Sequence, residues 1–218
     1  MSALTLVIGN KNYSSWSMRA WLLLRWLEVD FEEIVIPLYR PGSRAAVLPY
    51  SPTGLLPALV DGELHIWDSF AIILHLADRF PHVWPAEPAR RAFVRSACAE
   101  MHSGFQALRT AMPHNGRARD RRVPRTAALD ADIARIFEIW TEGRRRFGAD
   151  GPWLAGAFGI GDIVFAPVAS RFRTYGVTLD APAADYAAAL LGHPLVLRWF
   201  AEGADEPEVV ADAEIGLG

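Results

Sequence analysis

The chain has 218 residues with a formal net charge of -3 at pH 7, and 51% of them are hydrophobic against 22% charged. That composition supplies a sizeable core and excludes a disordered chain, and the length allows one large domain or two small ones. The charge argues against a dedicated nucleic-acid binder, which carries a basic face. Lys11 is the only lysine, so almost all the positive charge is arginine. The single cysteine, Cys98, excludes an intrachain disulfide framework or a cysteine-built zinc site and suits a reducing compartment. No apolar run reaches the length of a membrane span, and Met1-Ser2-Ala3 leads into a strand without a basic leader. The expectation is a soluble cytoplasmic protein with no membrane and no nucleic-acid partner.

Leu4 to Ile8 is a short, partly β-branched apolar run and reads as a buried strand. Gly9 to Ser17 is small and polar, a loop that ends by capping a leucine-rich helix through Ala20 to Leu27. Phe31 to Leu38 reads as a second strand, and the βαβ connection makes it a parallel neighbour of the first. A polar loop, Tyr39 to Arg44, precedes a helical turn at Ala45 to Leu48. Ala58 to Val60, Asp61-Gly62 and Leu64 to Trp67 read as strand, tight turn and strand. Asp68-Ser69 then caps a helix over Phe70 to Phe80, and prolines at 81, 85 and 88 mark a linker over 81–88.

From Ala89 onward no strand pattern recurs. Ala89 to Met112 reads as one long helix, Ala128 to Phe147 as another, and Asp162 to Tyr175 as a strongly apolar, central third; Tyr186 to Leu191 and Pro194 to Glu202 are shorter. An α/β unit over 1–80 is thus followed by an all-helical unit over 89–218. The tryptophans at 21, 26, 140, 153 and 199 fall in apolar runs and belong to the core. Cys98 is a small core residue by the same pattern. Arg117, Arg119, Arg121, Arg122 and Arg125 read as a solvated surface loop, and the acidic tail from Asp205 as loosely held. The six histidines show no ligand spacing, so no metal is expected.

Three stretches carry possible chemistry. The strand that runs into a helix start brings unpaired N–H groups, a positive dipole end and the hydroxyls of Ser14 and Ser15 to one point. Those serines either cap the helix and nothing more, or help hold an anion. Pro57 cannot donate to a ladder and belongs at a strand's first residue or an edge. A cis Leu56-Pro57 bond would turn Leu56's backbone outward to pair with an extended peptide, although trans is the general preference. Asp68-Ser69 has the same two readings as the first serines. Arg19 reads as structural, in a buried ion pair.

Taken together these residues resemble the glutathione transferase superfamily over nearly the whole chain. Ser14-Ser15-Trp16-Ser17-Met18-Arg19 is similar to the serine-type active-site motif, nearest the Ser-Ser-Cys-Ser-x-Arg form of the zeta class. Gly54 to Leu59 resembles the cis-proline segment, Asp68-Ser69-Phe70-Ala71-Ile72 the acidic-Ser-x-Ala-Ile motif, and Gly159-Ile160-Gly161-Asp162 the capping box of the central helix, with Gly159 in place of Ser or Thr. The resemblance implies a thioredoxin-like N-terminal domain, an all-α C-terminal domain and a homodimer. It implies glutathione as bound substrate, with Ser14 on the sulfur and Ser15 the fallback, and Leu56 beside Pro57 on the cysteinyl part. Asp68 and Ser69 would hold the γ-glutamyl end, and Arg40 or Arg44 the glycine carboxylate. Trp16, His102 and Ser103 would line the acceptor pocket. The implied activity is conjugation of glutathione to an electrophilic, apolar small molecule. The alternatives are a maleylacetoacetate-type isomerase, disfavoured because Trp16 replaces the cysteine, and a non-catalytic glutathione or ligand carrier.

Overall fold

A computed structural model describes residues 4–216; the reading of Met1-Ser2-Ala3 lies outside those residues, as do Leu217 and Gly218. The elements run β1 (Leu4–Ile8), α1 (Ser15–Trp26), β2 (Phe31–Val35), α2 (Ser43–Val47), β3 (Ala58–Asp61), β4 (Leu64–Trp67) and α3 (Ser69–Arg79). They continue α4 (Pro88–Ser103), α5 (Gln106–Ala111), α6 (Ala127–Phe147), α7 (Ile160–Thr174), α8 (Ala183–Gly192) and α9 (Pro194–Ala204). The sheet order is β2-β1-β3-β4, with β1 and β2 parallel and the other pairs antiparallel. An α/β N-terminal part and a helical C-terminal part therefore match the expected fold class.

Side chains alternate across a strand, so β1 feeds two cores. Leu4, Leu6 and Ile8 join the large core with α1, α3 and the helical part, whereas Val7 packs with Ile36, Val47 and Ala58 beside α2. The helical part is built around α7, whose run from Ile160 to Phe172 is buried throughout. Trp140 of α6 lies edge-on to Phe165, Phe172 and Tyr186 within 6.0 Å, a close aromatic cluster around that helix. The expected cap of α7 is half present: Gly159 has no side chain to offer, but Asp162 Oδ2 accepts from Gly159 N at 2.9 Å. Cys98 is fully buried, as read.

Several readings need correction. Asp61 pairs with Leu64, so the hairpin turn is Gly62-Glu63, one residue later than expected, with Gly62 at φ +63°. The strand β2 stops at Val35, ahead of Pro37. The long helix after the linker is two helices, because Gly104 is extended and Phe105 is left-handed at φ +62° between α4 and α5. Arg19 is buried but enters no ion pair among the described residues: Nε donates to Val164 O at 3.0 Å, while Nη1 and Nη2 have no partner.

The acidic tail is the largest correction, with Arg117 and Arg121 of the basic loop, because each is held by the molecule, whereas Arg119, Arg122 and Arg125 are exposed as read. Glu206 accepts from the backbone N–H groups of Lys11 (2.7 Å) and Asn12 (2.9 Å), and Glu208 from Asn10 Nδ2 at 3.2 Å. Glu214 accepts from Tyr13 Oη, Asn115 Nδ2 and Arg121 Nη2 within 2.8 Å. Arg117 donates to Tyr13 Oη and to the carbonyls of Glu206 and Glu208. Residues 205–216 thus form a strap across the loop that precedes α1. Loop and tail share the ion pair Arg121–Glu214, and the rest of the strap is held mainly by backbone and amide groups.

Candidate functional site

Ser14 is the N-cap of α1: its Oγ accepts from Ser17 N at 3.3 Å and donates to Ser17 Oγ at 2.7 Å. Ser17 Oγ also accepts from Gly9 N at 3.1 Å, so the polar loop is closed on itself by hydroxyls. Ser15 is the first residue of the helix, and its Oγ accepts from Arg171 Nη2 at 3.1 Å. Both serines border a cleft of about 660 Å³, along with Trp16, Arg40, Arg44 and Leu56. Its other walls are Arg109, His114 and Arg171 of the helical part and Val210, Asp212 and Ala213 of the strap.

The Leu56-Pro57 bond is cis and Leu56 borders the cleft. Asp68, at φ +77°, caps α3 by accepting from Phe70 N (2.7 Å) and Ala71 N (3.2 Å). Ser69 is buried and its Oγ has no hydrogen-bond partner among the described residues, a polar atom left over at that helix start. His102 stands edge-on to Trp16 at 5.3 Å, stacks on Phe70 at 5.3 Å and has Nε2 3.4 Å from Asp68 Oδ2. Burial pushes the His102 imidazole below its usual value despite Asp68, with Arg19 and Arg109 acting in the same direction as burial. Pro57, Asp68, Ser69 and His102 flank the cleft without bordering it. Ser103 is not brought there: its Oγ donates back to Ala99 O at 3.0 Å on an exposed face of α4. Arg40 reaches Glu208 at 3.5 Å, and Arg44 Nη1 donates to Thr53 O at 2.9 Å, so each loop arginine already has a contact.

Three further cations gather at this point, and the sequence reading did not place two of them there. Arg19 lies 4.5 Å and Arg109 4.3 Å from the Trp16 ring centroid. Arg171, 5% exposed, donates Nε to Met112 O at 2.8 Å besides its bond to Ser15. None of the three has an acidic ion-pair partner among the described residues. Burial, then Arg109, pushes Arg171 down to about 9; burial pushes Arg109 down to about 10, and burial with both neighbours holds Arg19 well below its usual range. Arg171 and Arg109 stay mostly charged at neutral pH all the same. Beside them His114 is buried, and burial, then Arg171, holds its imidazole well below the usual value against a backbone hydrogen bond at Asn12. A charged residue inside an apolar helix is itself a signal, and Arg171 and Arg173 in α7 carry it. Arg171, buried, and Arg109, half-buried, border the cleft beside a hydroxylated helix start without an ion-pair partner among the described residues, which makes it a place for anions. Among the described residues no cluster of three or more His, Cys, Asp or Glu side chains could hold a metal ion.

The sequence matches the family model "Glutathione S-transferase, N-terminal domain" over residues 13–79 and "Glutathione S-transferase, C-terminal domain" over residues 126–202. It is 30% identical over 162 residues to "Glutathione S-transferase Z2" of Arabidopsis thaliana, covering 71% of this chain and 70% of that protein. It is 34% identical over 98 residues to "Glutathione S-transferase zeta class" of Euphorbia esula, covering 44% of each. The fold superimposes on a glutathione transferase homologue from Burkholderia gl BGR1 with bound glutathione, with a TM-score of 0.71 at 22% identity over 94% of this chain and all of that one. A theta class enzyme from Xanthomonas axonopodis pv. citri with glutathione bound gives 0.66 at 24% identity, over 92% and 98% of the two chains.

Proposed function

Because the chain belongs to the glutathione S-transferase family, we propose that it binds glutathione in the cleft at the start of α1 and activates the thiol for transfer to an electrophilic small molecule. One observation carries this reading: the cleft brings two serine hydroxyls, the N-terminus of α1 and the backbone of Leu56 to one volume. In it residues 1–80 form the glutathione-binding domain, 81–88 the linker and 89–218 the domain that supplies the acceptor wall. Leu56 pairs with the cysteinyl backbone, Asp68 and Ser69 take the γ-glutamyl ammonium and carboxylate, and Arg40 or Arg44 takes the glycine carboxylate.

The chemistry asked of the site is modest. A free thiol has a pKa of about 8.5, and the thiolate is the nucleophile. A hydrogen bond to a charged acceptor is worth about 1.5–3 kcal/mol, so one serine hydroxyl lowers that pKa by about one to two units at about 1.36 kcal/mol each. At the upper end of that range thiolate becomes the major form at neutral pH, while the serine keeps its own proton. The thiolate attacks the electrophilic carbon; in substitution the displaced pair departs with the leaving group, and in conjugate addition it moves onto the carbonyl oxygen, and the enolate formed is then protonated by solvent.

The acceptor itself, expected to be apolar, is better matched by a molecule that carries an anionic group beside its electrophilic carbon, because Arg109 and Arg171 border the cleft without acidic partners. That observation also strengthens the isomerase alternative, whose maleylacetoacetate-type substrate is an acid, while Trp16 in the cysteine position still weighs against it. Calorimetric titration with glutathione tests binding. Turnover of a neutral aryl halide, of a carboxylate-bearing electrophile and of a cis-enedione acid separates conjugation from isomerisation. No heat of binding at millimolar glutathione sinks the proposal; binding without turnover of any of the three leaves the carrier. Two copies associate in this reading, checked by light scattering of the eluted protein.

A further inference from the structure

The two serines at the start of α1 differ in where their protons go. The Ser14 hydroxyl donates to Ser17 Oγ at 2.7 Å and accepts from Ser17 N, so its proton and one lone pair are committed within the loop. The Ser15 hydroxyl accepts from Arg171 Nη2 at 3.1 Å, and its own proton has no acceptor among the described residues. Arg171 is 5% exposed, is fixed by a second bond to Met112 O at 2.8 Å and has no carboxylate partner among the described residues. A guanidinium that donates to a hydroxyl oxygen polarises it, and a hydroxyl so polarised donates its proton more strongly. Both groups border the same cleft.

We propose that Ser15, held by Arg171 from the helical part of the chain, and not Ser14, is the hydroxyl that donates to the glutathione sulfur. Ser14 is then the cap that shapes the turn, and Arg171 is a positioning residue that also places a positive charge behind the thiolate. The thiol proton leaves to solvent, the sulfur becomes anionic, and Ser15 and Arg171 both remain protonated. The inference rests on the proposed function, since it needs glutathione in the cleft.

The test is a pH titration of the thiolate absorbance of the enzyme–glutathione complex in wild type, Ser14→Ala, Ser15→Ala and Arg171→Gln. The expected result is a shift in Ser15→Ala and in Arg171→Gln of about one pH unit, a tenfold fall in the ratio of thiolate to thiol at neutral pH. Ser14→Ala shifts the titration by less and lowers the melting temperature instead, as loss of a helix cap does. A larger shift in Ser14→Ala than in Ser15→Ala overturns the assignment, as does a folded Arg171→Gln that titrates like wild type. Should Arg171→Gln fail to fold, the two serine variants decide the matter alone, since each removes a single oxygen. Absence of glutathione binding to wild type by calorimetry is a separate outcome that removes the proposed function and this inference with it.

Discussion

Replacing Asp162 separates two opposing energies that meet at one buried carboxylate. Its Oδ1 accepts from Leu154 N (2.9 Å) and Tyr186 Oη (3.0 Å), and its Oδ2 from Gly159 N (2.9 Å). Three donors ordinarily hold a carboxyl below its usual range, yet burial at 2% exposure outweighs them and raises this one from 3.8 to about 6. Two units correspond to about 3 kcal/mol. The folded acid binds its proton more tightly than the unfolded one, so this group's contribution is fully present below pH 3.8 and is lost as pH rises through about 6. Asp162→Ala orphans three buried donors at about 1–3 kcal/mol each and relieves the charge burial, leaving a net loss of about 3 kcal/mol at pH 7. Asp162→Asn is different, because an amide oxygen turned toward Leu154 and Tyr186 satisfies two donors and leaves only Gly159 N facing an NH2 group. Its cost of about 1–3 kcal/mol is set against about 3 kcal/mol recovered by removing the charge, so the variant at pH 7 is as stable as wild type or up to about 2 kcal/mol more stable. Urea unfolding at pH 5 and pH 7 measures both effects. If Asn is as damaging as Ala at pH 7, or if Asn keeps the wild-type change in midpoint between the two pH values, the reasoning is refuted.

Three other predictions rest on close contacts. In Gly203→Ala the new Cβ would lie 2.9 Å from Asn12 N and 3.1 Å from Lys11 C, backbone atoms that cannot swing away, so the variant loses about 1–3 kcal/mol in thermal unfolding and binds glutathione more weakly; an unchanged melting temperature contradicts it. Glu206→Ala frees the N–H groups of Lys11 and Asn12, and a loss of about 1–3 kcal/mol should appear as faster amide exchange at those two positions, while unaltered exchange would show the strap to be incidental. Burial pushes the Cys98 thiol up to about 12, so an alkylating reagent should label it only after unfolding, and labelling of the native protein at neutral pH contradicts its place in the core.

What could be read from the sequence was local. The strand-to-helix turn, the hairpin and the apolar period of α6 and α7 are each fixed by neighbours a few residues away, and Ser14, Ser15 and Leu56 all border the cleft because they belong to such turns. The break between α4 and α5 was signalled by Ser103-Gly104, which a single long apolar pattern overrode. Arg109, Arg171 and His114 reach the cleft only through the packing of helices far apart in sequence, and no spacing rule connects 15 with 171. Ser103 was assigned from its neighbour His102, but one residue along a helix turns the side chain by about 100°. The tail was misread for a different reason: carboxylates with backbone amides as partners look like carboxylates with water as partner until the fold brings the amides to them.

The bond from Lys11 to Glu206 joins residues 195 apart, so a ribosome must have passed position 206 before the turn carrying the serines can be clamped. Contacts so distant along the chain close late in folding. A nascent protein with its sheet already paired therefore still lacks a finished cleft, and a proteolytic cut ahead of position 205 would take away one wall of that cleft and the clamp on the turn while most of the core stays in place.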